Sequence, residues 1–175
     1  MPGTKFIEGD TVNLRTVERD DAEFLKDGVN HPDVRVWMSN TRPQNLEQEE
    51  DFVDEVVSAE GDIHLLICKE GYPKGIISLM DQEEEGKIGE LGIWLHPEFH
   101  GKGYGSEAAK LLTEHAFNQL NYHKVYARAQ KQNKPSIGIW KKLGFEKEGE
   151  FKDHTYAQGN YQNVVYLGIL QGDWE

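Results

Sequence analysis

Three glycines at alternate positions, Gly101, Gly103 and Gly105, stand between an apolar run ending at Leu95 and the start of a long amphipathic stretch. Glycine permits positive φ and carries no side chain, so successive backbone N–H groups can face a ligand directly. At a helix N-terminus those donors also sit at the positive end of the macrodipole, and together they suit a phosphate or diphosphate. A merely tight turn would use the same residues. The order does not fit a Walker site, because Lys102 is not followed by Ser or Thr. Nor does it fit a dinucleotide fingerprint, whose G-x-G-x-x-G spacing belongs to an early βαβ unit, whereas this turn follows a run of hairpins. His96 and His100 have Pro97 between them in a loop, so they share no helical face and no metal site is expected.

The elements that must position this turn are legible from periodicity. TVNLR (Thr11 to Arg15) alternates as a strand, and ERDDAEFLKDGVN then opens with acids, as a helix N-terminus prefers. LEQEEDFVDEVVSAE carries Phe52, Val53, Val56 and Val57 at helical spacing and stops at Gly61. IHLLICKE, PKGIISLMDQ and KIGELGIWLHP read as three consecutive strands in an antiparallel meander. Behind the glycines, Ala108, Leu111, Leu112, Ala116 and Phe117 recur at three- and four-residue steps, the plainest helix in the chain. HKVYARAQ follows as a strand, KPSIGIWKKLG as a short helix closed by Gly144, and FEKEGEFK and NYQNVVYLGIL as the last two strands. KDHTYAQGNYQ, with Tyr156, reads as a loop. The order predicts an α/β fold of the α+β type, a partly antiparallel sheet packed on both faces.

Composition narrows the function. The chain has 175 residues, with 31 acidic and 19 basic residues and a net charge of −12. Such a surface repels nucleic-acid backbones and attracts cations. No apolar run approaches the roughly 20 residues of a membrane span, and MPGTKFIEGD lacks the plan of a secretory signal, so a cytoplasmic protein without membrane contact is expected. Cys68 is the only cysteine, which excludes an internal disulfide, and it lies in the apolar run IHLLICK as a buried small hydrophobe. No repeat or linker divides residues 1–175, and a single domain is expected.

His100-Gly101-Lys102-Gly103-Tyr104-Gly105 resembles the [RQ]-x-x-G-x-[GA] signature of the GNAT superfamily of N-acetyltransferases. NKPSIGIWKKLGFEKEGEF is similar to that family's N-x-x-S, K-L-G-F and E-G block. GNYQNVVYLGIL resembles the closing strand of its RimJ/RimL-like branch, which acetylates ribosomal-protein N-termini and polyamines. The likeness covers nearly the whole chain. It implies a GNAT fold, a mixed and mostly antiparallel sheet of about six to seven strands with about four flanking helices, splayed at an acetyl-CoA cleft. By the resemblance, His100, Gly101, Lys102, Gly103, Tyr104, Gly105 and Ser106 face the coenzyme diphosphate. Ile93, Trp94 and Leu95 offer backbone groups to the pantetheine arm, strand-like. Asn133 bonds the same arm, or only shapes the turn before Pro135. Family members are often dimers, so a homodimer is compatible with the resemblance.

Acetyl transfer to an amine removes a proton from the amine, stabilises the thioester oxygen and protonates the departing thiolate. Glu90 is the expected base, through a water, on the strand face shared with Gly92 and Trp94. A solvent-facing or acceptor-binding carboxylate is its other reading. Ser136 is the expected proton donor to the thiolate, or else the cap of its own helix. Two positions depart from the family: His100 replaces Arg or Gln, and Trp140, placed against the coenzyme, stands where many relatives carry a tyrosine acid. An indole N–H does not serve as that acid, which leaves Ser136, Tyr156 or solvent. These departures keep a catalytically silent acyl-CoA-binding module as an alternative. Glu23, Asp33, Glu47, Glu49, Glu50 and Asp51 suit a cationic acceptor, and Asn30-His31-Pro32-Asp33-Val34 with Trp37-Met38 resembles the ribosomal-protein branch. A protein N-terminal amine is therefore the first expectation and a polyamine (spermidine or spermine) the alternative.

Overall fold

The computed structural model describes residues 3–38, 40–83 and 85–175. Its strands are β1 (Lys5–Glu8), β2 (Asn13–Thr16), β3 (Ile63–Lys69), β4 (Tyr72–Glu83), β5 (Ile88–Leu95), β6 (Lys124–Gln130), β7 (Glu146–Ala157) and β8 (Asn160–Leu170). They form one sheet in the order β1-β2-β3-β4-β5-β6-β8-β7. Every neighbouring pair is antiparallel except β5 and β6. The helices are α1 (Ala22–Asn30), α2 (Pro32–Arg35), α3 (Leu46–Asp51), α4 (Tyr104–Asn118) and α5 (Lys134–Lys142).

Alternation along the central strands sorts the core into two. Leu65, Ile67, Ile77, Leu79 and Leu91 point to one face and bury Ala108, Ala109, Leu112 and Ala116 of α4. Leu66, Cys68 and Ile76 point to the other and pack with Leu25 of α1 and Val53 beyond α3. Both faces are covered, as the sequence pattern requires.

The sheet has eight strands, one more than the sequence reading counted. The addition is β1, a four-residue edge strand in which only Ile7 is half-buried, too short to show a period. The second expected helix is also not uniform. It runs as α3 to Asp51 and continues as a π-helix over Phe52–Val57, which carries Phe52 to the ring of His64, centroids 5.7 Å apart. The largest correction concerns the segment assigned as a loop: β7 runs through it to Ala157 and pairs with β8 up to Ala157 opposite Asn160. Tyr156 is thus a strand residue near a hairpin tip, exposed, with its ring against Tyr161 at 5.2 Å.

Cys68 is 1% exposed, and burial pushes its thiol up to about 11. The thiolate is the reactive form. A disulfide reagent at pH 7.5 should therefore titrate no thiol in the native protein and one after denaturation. Rapid native labelling would contradict the packing of this face.

Candidate active site

The parallel pair β5–β6 is bonded only over Ile88–Glu90 and Lys124–Tyr126. Beyond Glu90 and Tyr126 the two strands part: β5 stays with β4 as far as Leu95, and β6 stays with β8 as far as Gln130. The gap opens a cleft of about 1690 Å³. Ile93, Trp94 and Leu95 line one wall and Arg128, Ala129 and Gln130 the other.

The glycine turn lies at one end of this cleft. Gly101 and Gly103 have φ of 73° and 81°, and a Cβ built on either meets nothing within 4 Å. Gly103 is the N-cap of α4, and no side chain caps the helix. The first amides of α4 are therefore left without side-chain acceptors. Gly105 also lines the cleft, but it is crowded from behind. Its Cβ would come within 3.0 Å of Ile139 and 3.4 Å of Leu95, so this glycine lets α4 lie close to α5 and β5. The ring of His100 is turned back, with Nε2 2.8 Å from the Leu95 carbonyl. A carbonyl only accepts, so Nε2 carries the proton and His100 braces the turn against the strand end. Lys102 is exposed, with its ammonium 5.6 Å from the Phe99 ring, and does not line the cleft. Tyr104, although buried, lines the cleft together with Ser106.

On the far wall, Asn133 caps α5: its Oδ1 accepts from Ser136 N–H at 3.3 Å. The capping role considered for Ser136 thus falls to Asn133, and both residues line the cleft. Trp140 lines it too, although it is 1% exposed and packs on Phe145 at 5.2 Å. Trp94 stacks on Phe24, and a Cβ on Gly28 would lie 2.2 Å from its ring, so the indole is wedged against α1.

Glu90 shares its face with Gly92 and Trp94, opposite Met80, Ser78 and Ile76 of β4. It is 7% exposed, and its Oε1 accepts from Arg128 Nε at 2.7 Å across the gap. Burial and the Glu90 charge together push the neighbouring Tyr126 phenol up. Sequence reasoning missed Arg128, because β6 places it across from Glu90 only once the parallel pair forms. It also missed His64 and Ser78, which line the cleft from β3 and β4.

The six acids divide. Asp33 and Glu49 line the cleft. Glu23, Glu47, Glu50 and Asp51 do not, and Glu50 is paired with Arg19 at 3.1 Å. Glu49 is 6% exposed, burial pushes its carboxyl up, and its carboxylate has no ion pair or hydrogen-bond partner among the described residues. Tyr156 does not line the cleft itself but an adjoining cavity of about 330 Å³, which shares Val36, Asn40 and Gln158 with it. His96 sits against the His31 ring at 5.3 Å, and no group of three His, Cys, Asp or Glu among the described residues is arranged to hold a metal ion. Among those residues no helix is long and apolar enough to cross a membrane.

The sheet is thus parted between its parallel strands, with an uncapped helix start beside the opening. A family model described as an acetyltransferase (GNAT) domain matches residues 11–146. Spermidine N(1)-acetyltransferase of Escherichia coli K12 is 30% identical over 162 residues, covering 92% of this chain and 87% of that protein. A putative ribosomal N-acetyltransferase of Bacillus subtilis is 33% identical over 101 residues, 58% of this chain and 55% of that protein. Among solved structures, the spermidine N-acetyltransferase of Vibrio cholerae, in complex with CoA and spermine, superposes with a TM-score of 0.88 at 21% identity, covering 94% of this chain and 98% of that one. The chain belongs to the GNAT family, and it is an N-acetyltransferase.

Proposed function

We propose that this chain, as a single domain, moves the acetyl group of acetyl-CoA to a primary amine carried by a cationic acceptor, by direct attack and without a covalent enzyme intermediate. The observation that carries the reading is the pairing of two features in one cleft: an open, uncapped helix start, and the carboxyl groups of Asp33 and the buried Glu49, the latter with no ion-pair partner among the described residues. The turn suits a diphosphate, since Gly101 and Gly103 leave the space before the helix amides clear. Backbone groups near Leu95 receive the thioester arm, and the Asn133 amide, whose oxygen is committed to the cap, offers its N–H₂ to it. Glu90 takes the proton of the amine through a water. Ser136 returns a proton to the thiolate.

The acceptor we place first is a protein N-terminal amine. A polyamine is the second reading, favoured by a specific observation: the spermidine enzyme of E. coli aligns over 92% of this chain, the ribosomal one over 58%. Either brings positive charge to Glu49. The test has two steps. Acetyl-CoA at about 100 times its dissociation constant should stabilise the fold by about 2.7 kcal/mol in a thermal melt. Thiol release should then rank an alanine-ended peptide, spermidine, an aminoglycoside and free amino acids. Binding without turnover of any amine would leave a silent acyl-CoA module. No thermal shift at millimolar acetyl-CoA would remove the coenzyme as well.

A further inference from the structure

His64 on β3 and Ser78 on β4 form a polar pair that the chemistry above leaves unused. Register sets their place: His64 lies opposite Ser78, and Ser78 opposite Gly92. Their row is next to that of Met80 and Glu90, on the sheet face covered by α1 and α3. Gly92 has no side chain, and a Cβ there would meet only the Met80 methyl group, at 3.4 Å. The Ser78 hydroxyl therefore borders open space above the strand assigned to the thioester. Cross-strand neighbours stand about 5 Å apart at Cβ, so an amine in that space is within its reach.

The imidazole is 8% exposed, with Nδ1 2.7 Å from Ser78 Oγ. Its Nε2 is buried and has no hydrogen-bond partner. A buried imidazole with one nitrogen unmatched costs free energy that an apolar residue would not, so fold stability does not account for it. Burial holds His64 below its usual pKa, against the pull of Asp62. Asp33 from α2, Glu49 from α3 and the Glu90–Arg128 pair from β5 and β6 are the charged groups lining the cleft, with the imidazoles of His100 and His154.

We propose that Ser78 binds the acceptor, its oxygen taking a hydrogen bond from the reacting amine, and that His64 is a positioning residue that keeps that oxygen's lone pairs turned to the cleft. With the neutral imidazole protonated at Nε2, the hydroxyl donates to Nδ1 and both lone pairs remain for the amine N–H. Protonation reverses this bond: Nδ1–H donates, and the hydroxyl proton turns outward to compete for the lone pair that must attack. The inference rests on the acetyl-CoA reading for the position of the thioester.

Ser78→Ala and His64→Leu remove the arrangement, whereas His64→Gln keeps an acceptor for the hydroxyl and does not titrate. The probe is whichever of spermidine and an alanine-ended peptide wild type turns over faster. In Ser78→Ala and His64→Leu, kcat/KM for the amine should fall by about tenfold or more. His64→Gln should stay within about threefold of wild type at pH 8 and lose the imidazole step from the acid limb of the pH profile. Acetyl-CoA affinity should be unchanged in all three. Should wild type fail to bind acetyl-CoA, the coenzyme reading falls and takes this inference with it. If wild type binds and both Ser78→Ala and His64→Leu keep kcat/KM within twofold, the pair alone loses its role. Thermal melts identify loss through misfolding in His64→Leu, and the smaller Ser78→Ala change decides the matter in that case.

Discussion

Gly103→Val is expected to abolish acetyl-CoA binding and leave a folded protein. The position has room at its root, since a Cβ there meets nothing within 4 Å. Its φ of 81° makes the substitution strained, at about 1–3 kcal/mol. Binding suffers separately, because the valine methyl groups occupy the space in front of the α4 amides. Losing two charge-assisted hydrogen bonds corresponds to a dissociation constant at least about 100-fold higher. Gly159→Val supplies the control. It has φ of 82° and the same free space, but sits at the β7–β8 tip outside the cleft. The two variants should lose similar thermal stability, and only Gly103→Val should lose binding by calorimetry. Equal affinities would remove the glycine turn from the coenzyme site.

The second large effect concerns Glu90→Gln, for which kcat should fall by about 10²–10³ with acetyl-CoA affinity unchanged. Glutamine preserves the shape, and its amide oxygen still accepts from Arg128 Nε, so the cleft walls stay joined. It has no capacity to take a proton. Glu90→Ala would mix this loss with an unpaired guanidinium and a gap in a buried site, which makes Gln the cleaner variant. A kcat within threefold of wild type, measured by thiol release over pH 6 to 9, would assign the proton to another group and leave Glu90 as the anchor of Arg128.

The family and the architecture were readable before any coordinates because both rest on local features. Apolar periodicity marks β3 to β6 and α4, and the spacing of Gly101, Gly103 and Gly105 marks the turn between strand and helix. Where periodicity was short or polar, the reading failed. β1 offers four residues with one half-buried side chain, and the far half of β7 is largely exposed on an outer strand, so neither shows the alternation that burial imposes. Gly105 does more than its spacing showed: it lines the cleft, and its neighbours Ile139 and Leu95 also give it a packing role.

What the sequence by itself determined is the identity of the backbone device: glycines that permit positive φ, the helix that starts behind them and the strand leading to them. These depend on residues adjacent in the chain. Only the tertiary structure decided the side-chain constellation. Arg128 meets Glu90 from 38 positions away, His64 meets Ser78 across a hairpin, and Glu49 is sealed into the cleft from a separate helix. The partners of a buried charge are set by sheet register and by where two strands part, and neither leaves a mark in local spacing.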